Sequence, residues 1–130
     1  MNRPVHFEIH ADDCDRAEKF YTELFGWQFK KWEGSPTDYR MIVTGDKESQ
    51  GINGGLLKRM GATPSMGAAV NAYVCTMDVT HIDEMHAKAI ALGGSEALPK
   101  MPIPGMGWLS YCKDQEGNIF GLMQPDSSAK

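Results

Sequence analysis

Two histidines and a glutamate alternate near the start of the chain as His6-x-Glu8-x-His10, within the stretch VHFEIHADD. Imidazole and carboxylate are the groups that move protons near neutral pH and that ligate divalent metals. The helical zinc-protease signal needs histidines four apart with a glutamate beside the first. Here Val5, Phe7 and Ile9 separate the polar residues, which is the period of a strand. On a strand, residues two apart share a face at roughly 6.5–7 Å. His6 and Glu8 can therefore share a proton or a metal ion, although a metal site needs further ligands from elsewhere in the chain. The pair is the candidate catalytic unit, Glu8 as general base assisted by His6. His10 is expected at the rim, too far along the strand to converge with them.

The elements that must position this pair follow from the pattern downstream. Asp12 and Asp13 offer caps, and Ala17, Phe20, Tyr21, Leu24 and Phe25 form a helical apolar stripe closed by Gly26. WQFKKW, DYRMIVT and GINGGLLKR read as strands separated by turn residues. The order then restarts. NAYVCTMDV reads as a strand, Thr80 as a cap, and Ile82, Met85, Ala89 and Leu92 as a second helix closed by Gly93 and Gly94. PKMPIPGMG reads as a rigid, proline-punctuated loop, and WLSYCK and NIFGLMQ as an antiparallel pair around DQEG. Asp12 recurs as Asp78 and Gly26 as Gly93, at offsets of 66 and 67 residues.

This is a β-α-β-β-β unit used twice. The expectation is an α+β fold with two βαβββ modules, 1–58 and 68–125, joined by a linker at 59–67 within a single domain of 1–130. Neither module alone covers its sheet, so two together are expected to build a curved eight-stranded mixed sheet with helices outside. The alternative of a ferredoxin-like sandwich has too few strands.

Composition narrows the function. The 130 residues carry 42% hydrophobic side chains, enough for one domain with a real core. With 13 basic against 17 acidic residues and no run of like charge, neither nucleic acid nor an anionic membrane surface is an expected partner. No stretch reaches the roughly 18 apolar residues of a membrane span, and no signal-peptide core is visible at the start. Cys14, Cys75 and Cys112 are odd in number and widely spaced, which fits a reducing, cytoplasmic setting. No nucleophile elbow, phosphate loop or dinucleotide fingerprint is present. Trp27, Trp32, Tyr39, Tyr73, Trp108, Tyr111 and Phe120 are numerous enough to line an apolar pocket. Tyr73 and Trp108 are the pocket candidates, the others being assigned to the core.

VHFEIHADDCDRAEKFYTELFGW resembles the first strand and helix of the vicinal oxygen chelate superfamily, which includes glyoxalase I, bleomycin-resistance proteins and extradiol dioxygenases. GINGGLLKR, PKMPIPGMGW and KDQEGNIFGLMQPD resemble its small bacterial branch, usually described as related to lactoylglutathione lyase. The resemblance spans nearly the whole chain and implies a homodimer. It also implies four metal-ligand positions, one on the first and one on the last strand of each module. These fall on His6, on Asn53, Gly54 or Gly55, on Ala72, and on Gly121. Only His6 keeps a ligating side chain, so no metal and no cofactor is expected, while Asn53 becomes a ligand-binding candidate beside His6. Two functions follow from the resemblance. One is a glyoxalase/bleomycin-resistance-like protein that binds or transforms a small organic metabolite in a sheet cavity. The other is a metal-dependent lyase or dioxygenase acting on a small carbonyl or thiol conjugate.

Overall fold

A computed structural model describes residues 2–130. Among the described residues the order is β1 (His6–Ala11), α1 (Cys14–Phe25), β2 (Gln28–Lys31), β3 (Tyr39–Val43) and β4 (Asn53–Lys58), followed by β5 (Thr76–Asp78), α2 (Ile82–Ala91), β6 (Ser95–Ile103), β7 (Gly107–Lys113) and β8 (Ile119–Pro125). The chain divides into two compact units, Met1–Thr63 and Pro64–Lys130. Each holds one βαβββ motif and one four-stranded mixed sheet, so the fold is α+β with two modules.

In the first unit the strands lie in the order β1-β4-β3-β2, with β1 parallel to β4 and the other pairs antiparallel. Alternation along β1 sends Phe7, Ile9 and Ala11 to one face and His6, Glu8 and His10 to the other. The first set joins Ile42 and Leu56 on the buried side, under α1. Asp13 caps α1 by accepting the Arg16 N–H at 3.0 Å, and Gly26 ends it in the left-handed conformation (φ 74°) that glycine adopts without strain. Cys14, Ala17, Phe20, Tyr21 and Leu24 form its buried stripe. Arg40, on the helix side of β3, donates to Asp15 (2.8 Å) and Glu18 (3.2 Å) of α1 as well as to Asp38 (2.9 Å). Helix and sheet are thus tied by charge as well as by apolar packing.

The second unit repeats the order as β5-β8-β7-β6, again with the first pair parallel. Ser110, Cys112, Phe120 and Leu122 are buried on the helix-covered face. Three sequence expectations are corrected here. NAYVCTMDV is strand only over Thr76–Asp78, and Ala72 lies in irregular chain before it. The reason is the partner strand: β8 begins at Ile119, two residues before the Thr76–Gly121 pair, so residues 71–73 have no ladder to join. PKMPI is not loop but the end of β6, whose position at the sheet edge tolerates Pro99 and Pro102 and whose register shifts twice between Glu96 and Met101. Thr80 does not cap α2. His81 stands at the N-cap without a side-chain bond, and the Ile82 N–H is instead taken at 2.9 Å by the Gln124 side chain of β8.

Candidate functional site

His6, Glu8 and His10 meet on the open face of the first sheet, joined there by Tyr39 from β3. The Tyr39 hydroxyl lies 3.1 Å from His6 Nε2 and donates to Glu8 Oε2 at 3.4 Å. His6 Nε2 is itself 3.8 Å from that carboxylate oxygen. If the hydroxyl donates to Glu8, its oxygen accepts from His6, which places the imidazole proton on Nε2. The ring of His10 also turns back along the strand, bringing Nε2 to 3.8 Å from Glu8 Oε1. This corrects the expectation that His10 stands apart at the rim. All three β1 side chains are about half-exposed, at 49%, 44% and 40% for His6, Glu8 and His10, so the cluster faces outward rather than into the core.

Burial pushes the Tyr39 phenol above its ordinary range, and the charge of Glu8 with the hydrogen bond to it adds to the rise. Tyr39 therefore stays a neutral donor through physiological pH. Its position depends on Gly55, which pairs with Glu8 on one side and with Met41 of β3 on the other. A β-carbon at Gly55 would come within 2.1 Å of the Tyr39 hydroxyl oxygen, so only glycine leaves room for the phenol. Tyr39, a core aromatic by sequence, is half-buried on the open face instead. Its role depends on strand register, which brings Tyr39 opposite Leu57 beside His10, and no local motif encodes that register.

The other sequence candidates fall as follows. Asn53 pairs with His6 across the β1–β4 ladder, and its side-chain oxygen accepts from the Thr44 N–H at 2.9 Å. It braces the end of β3 next to His6. Tyr73 is fully exposed in the irregular segment before β5. Trp108 alternates with Leu109 and Tyr111, which places it on the helix-side face with Ser110 and Cys112; its indole N–H donates to Asp126 at 3.0 Å and Lys100 lies over its ring. Trp108 is thus committed to packing and does not line the open face of its sheet.

Residues 3–45, which carry β1, α1, β2 and β3, match the family model of the bleomycin resistance protein-like N-terminal region. Proteins of Mycobacterium tuberculosis and Mycobacterium bovis that carry the name glyoxylase CFP32 are 28% identical over 128 residues, covering 93% of this chain and 45% of theirs. The chain thus spans about half the length of these curated relatives. Among solved structures, a glyoxalase family protein from Bacillus cereus superposes with a TM-score of 0.74 at 19% identity, covering 96% of this chain and 95% of that one. A glyoxalase/bleomycin resistance protein/dioxygenase family enzyme from Burkholderia phytofirmans gives 0.71 at 17%, covering 94% and 98%. The fosfomycin resistance protein FosX from Listeria monocytogenes gives 0.73 at 16%, covering 97% and 93%. The chain thus has the fold of the glyoxalase/bleomycin resistance protein/dioxygenase structures, and its residues 3–45 are similar to the bleomycin resistance protein-like N-terminal region.

The resemblance to the vicinal oxygen chelate superfamily implies a divalent ion, and the donor set here does not fit the four positions it implies. His6 qualifies. On β4, Asn53 is turned to Thr44, Gly54 has no side chain, and the space above Gly55 holds the Tyr39 phenol. Gly121 of β8 and Ala72 ahead of β5 offer no ligating atom. Among the described residues no group of three or more His, Cys, Asp and Glu side chains is arranged to hold a metal. What the first sheet presents is a hydrogen-bonded cluster, in which Tyr39 donates to Glu8 and His6 Nε2 lies within reach of the same hydroxyl.

Proposed function

We propose that this protein belongs to the vicinal oxygen chelate superfamily and binds a small organic molecule on the open face of its first sheet without a resident metal, using His6, Glu8 and Tyr39 to orient it and Glu8 to exchange protons with it. The observation that carries the reading is the Tyr39 hydroxyl, held between His6 and Glu8 over a glycine. A hydrogen-bond donor and a carboxylate base set side by side in partly apolar surroundings form a general acid–base pair. Met41, Val43 and Leu57 share the face with the cluster and supply apolar contact for a ligand body. Such a mixture of a few convergent polar groups and apolar wall is the usual makeup of a small-molecule site. Asn53 supports the site from the neighbouring strand.

The 43% exposure of both Met41 and Val43 also supports a homodimer that covers part of this surface. Three free cysteines support a reducing, cytoplasmic setting. No helix among the described residues is long and apolar enough to cross a membrane.

The names of the similar proteins suggest what to offer: bleomycin, fosfomycin, and the hemithioacetal of methylglyoxal with glutathione. Calorimetric titration of chelator-treated protein should show binding of at least one of these, weakened by His6→Ala, Glu8→Ala and Tyr39→Phe alike. Binding or turnover that appears only on adding a divalent ion would transfer the protein to the metal-dependent lyase or dioxygenase reading.

A further inference from the structure

The second unit has a feature that the first sheet's chemistry does not use. A cleft of about 280 Å³ opens between α2 and the edge strand β6. It lies where β6 shifts register twice, between Glu96 and Leu98 and between Leu98 and Met101. Ile82, Ala87 and Ile90 of α2 give it an apolar wall. Lys100 of β6 bonds Asp83 of α2 at 2.9 Å, tying the two walls together and neutralising one of the cleft's two carboxylates.

The other carboxylate, Glu96, faces His86. His86 is largely buried, at 17% side-chain exposure, and its Nδ1 is fixed from below by the hydroxyl of buried Ser110 at 2.9 Å and the thiol of buried Cys112 at 3.5 Å. Burial, with the charge of Glu96, pushes the Cys112 thiol up to about 11, so it carries its proton at neutral pH and can donate. The Glu96 carboxylate can only accept, so its approach to Nε2 favours the imidazole proton there, with Nδ1 then accepting from the Ser110 hydroxyl. Nε2 stands 3.6 Å from Glu96 Oε1, too far for a good mutual hydrogen bond. Glu96 remains 44% exposed. With that tautomer the cleft presents an N–H donor beside a carboxylate acceptor, next to an aliphatic wall.

We propose that this cleft is a second small-molecule site, selective for a neutral carboxamide or lactam attached to a compact apolar or aromatic body. The carbonyl oxygen accepts from His86 Nε2, and the adjacent N–H donates to Glu96, a two-point match that places the body against Ile82, Ala87 and Ile90. A carboxylate ligand meets the charge of Glu96, and a hydrocarbon leaves both polar groups without a partner.

The test is fluorine NMR on the full chain with three probes of one shape: 4-fluorobenzamide, 4-fluorobenzoate and 4-fluorotoluene. The amide should give a saturable response, with the other two at least tenfold weaker. Glu96→Ala, at a partly exposed position, should weaken the amide about tenfold, the worth of one hydrogen bond. Ala87→Trp, on an exposed helix position lining the cleft, should fill it and abolish binding with the circular dichroism spectrum unchanged. No saturable response to the amide up to its solubility limit would overturn the proposal. So would equal binding of the toluene, or amide binding untouched by Glu96→Ala or by Ala87→Trp in folded protein.

Discussion

Gly55 and Tyr39 sit on neighbouring strands, and the phenol oxygen of Tyr39 lies 2.1 Å from where a β-carbon of residue 55 would stand. The absence of a side chain on β4 is thus what admits the hydroxyl that joins His6 to Glu8. Gly55→Ala should expel the ring and break both hydrogen bonds, at a cost of about 1–3 kcal/mol for the overpacking. Tyr39→Phe removes only the hydroxyl of a partly exposed group and should cost under about 1 kcal/mol. Urea unfolding reads the stabilities, and the imidazole resonances of His6 read the contact. The two variants should move those resonances in the same way. A Gly55→Ala protein with the wild-type His6 signal would show that Tyr39 does not depend on this glycine.

Arg40 supplies a prediction in pH. Its guanidinium is nearly buried, at 7% exposure, and is held by Asp38, Asp15 and Glu18. The Arg40 hydrogen bond, aided by the charges of Arg40 and Lys31 and opposed by burial, holds the Asp38 carboxyl below the usual range. A depressed carboxylate contributes its stability above the unfolded value of about 3.9 and loses it as pH falls through the folded value. Arg40→Met should therefore destabilise the protein at pH 7, by about 2–3 kcal/mol. It should also flatten the loss of stability below about pH 4. An acid limb of unchanged steepness in denaturant titrations would remove Asp38–Arg40 as its source.

Much of the architecture was legible because periodicity carries it. The alternation around His6, the stripe from Ala17 to Phe25 and the recurrence of Asp12 and Gly26 as Asp78 and Gly93 fixed the element types and the doubled motif. What escaped was set by partners distant in sequence. β5 is short because β8 begins late, and the prolines of PKMPI were admitted by an edge position that the sequence does not announce. The site was half legible for the same reason. His6 and Glu8 declare themselves by spacing on one strand, whereas Tyr39 arrives by register from two strands away and Trp108 leaves by the parity of β7.

The cap of α2 illustrates the point and can be tested. Thr80 is the capping residue by type, but the Ile82 N–H is bonded at 2.9 Å by Gln124, 42 residues later. Gln124→Ala should cost about 1 kcal/mol, a normal capping contribution. Thr80→Ala should stay within about 0.5 kcal/mol of wild type. The reverse order in thermal unfolding would return the cap to Thr80.

The last prediction separates the metal-free reading from the metal-dependent one without knowledge of the ligand. An ion bound only by folded protein stabilises it in proportion to the logarithm of its saturation. At a hundredfold excess over Kd this is about 2.7 kcal/mol, or roughly 10 °C in a domain of this size. With His6 the sole ligating side chain at the four positions the resemblance implies, zinc, nickel or manganese at 100 times the micromolar range should move Tm by less than about 1 °C. Chelator should not move it either. His6→Ala and Glu8→Ala should keep the fold, because both side chains point away from α1 and are half-exposed. Glu8→Gln keeps the shape and a hydrogen-bonding oxygen for Tyr39 but loses the base. If Glu8 exchanges protons with the bound molecule, this variant should retain binding and lose turnover, while equal loss of both would leave a binding protein. A large rise in Tm on adding metal, abolished by His6→Ala, would overturn the metal-free reading and make His6 a ligand.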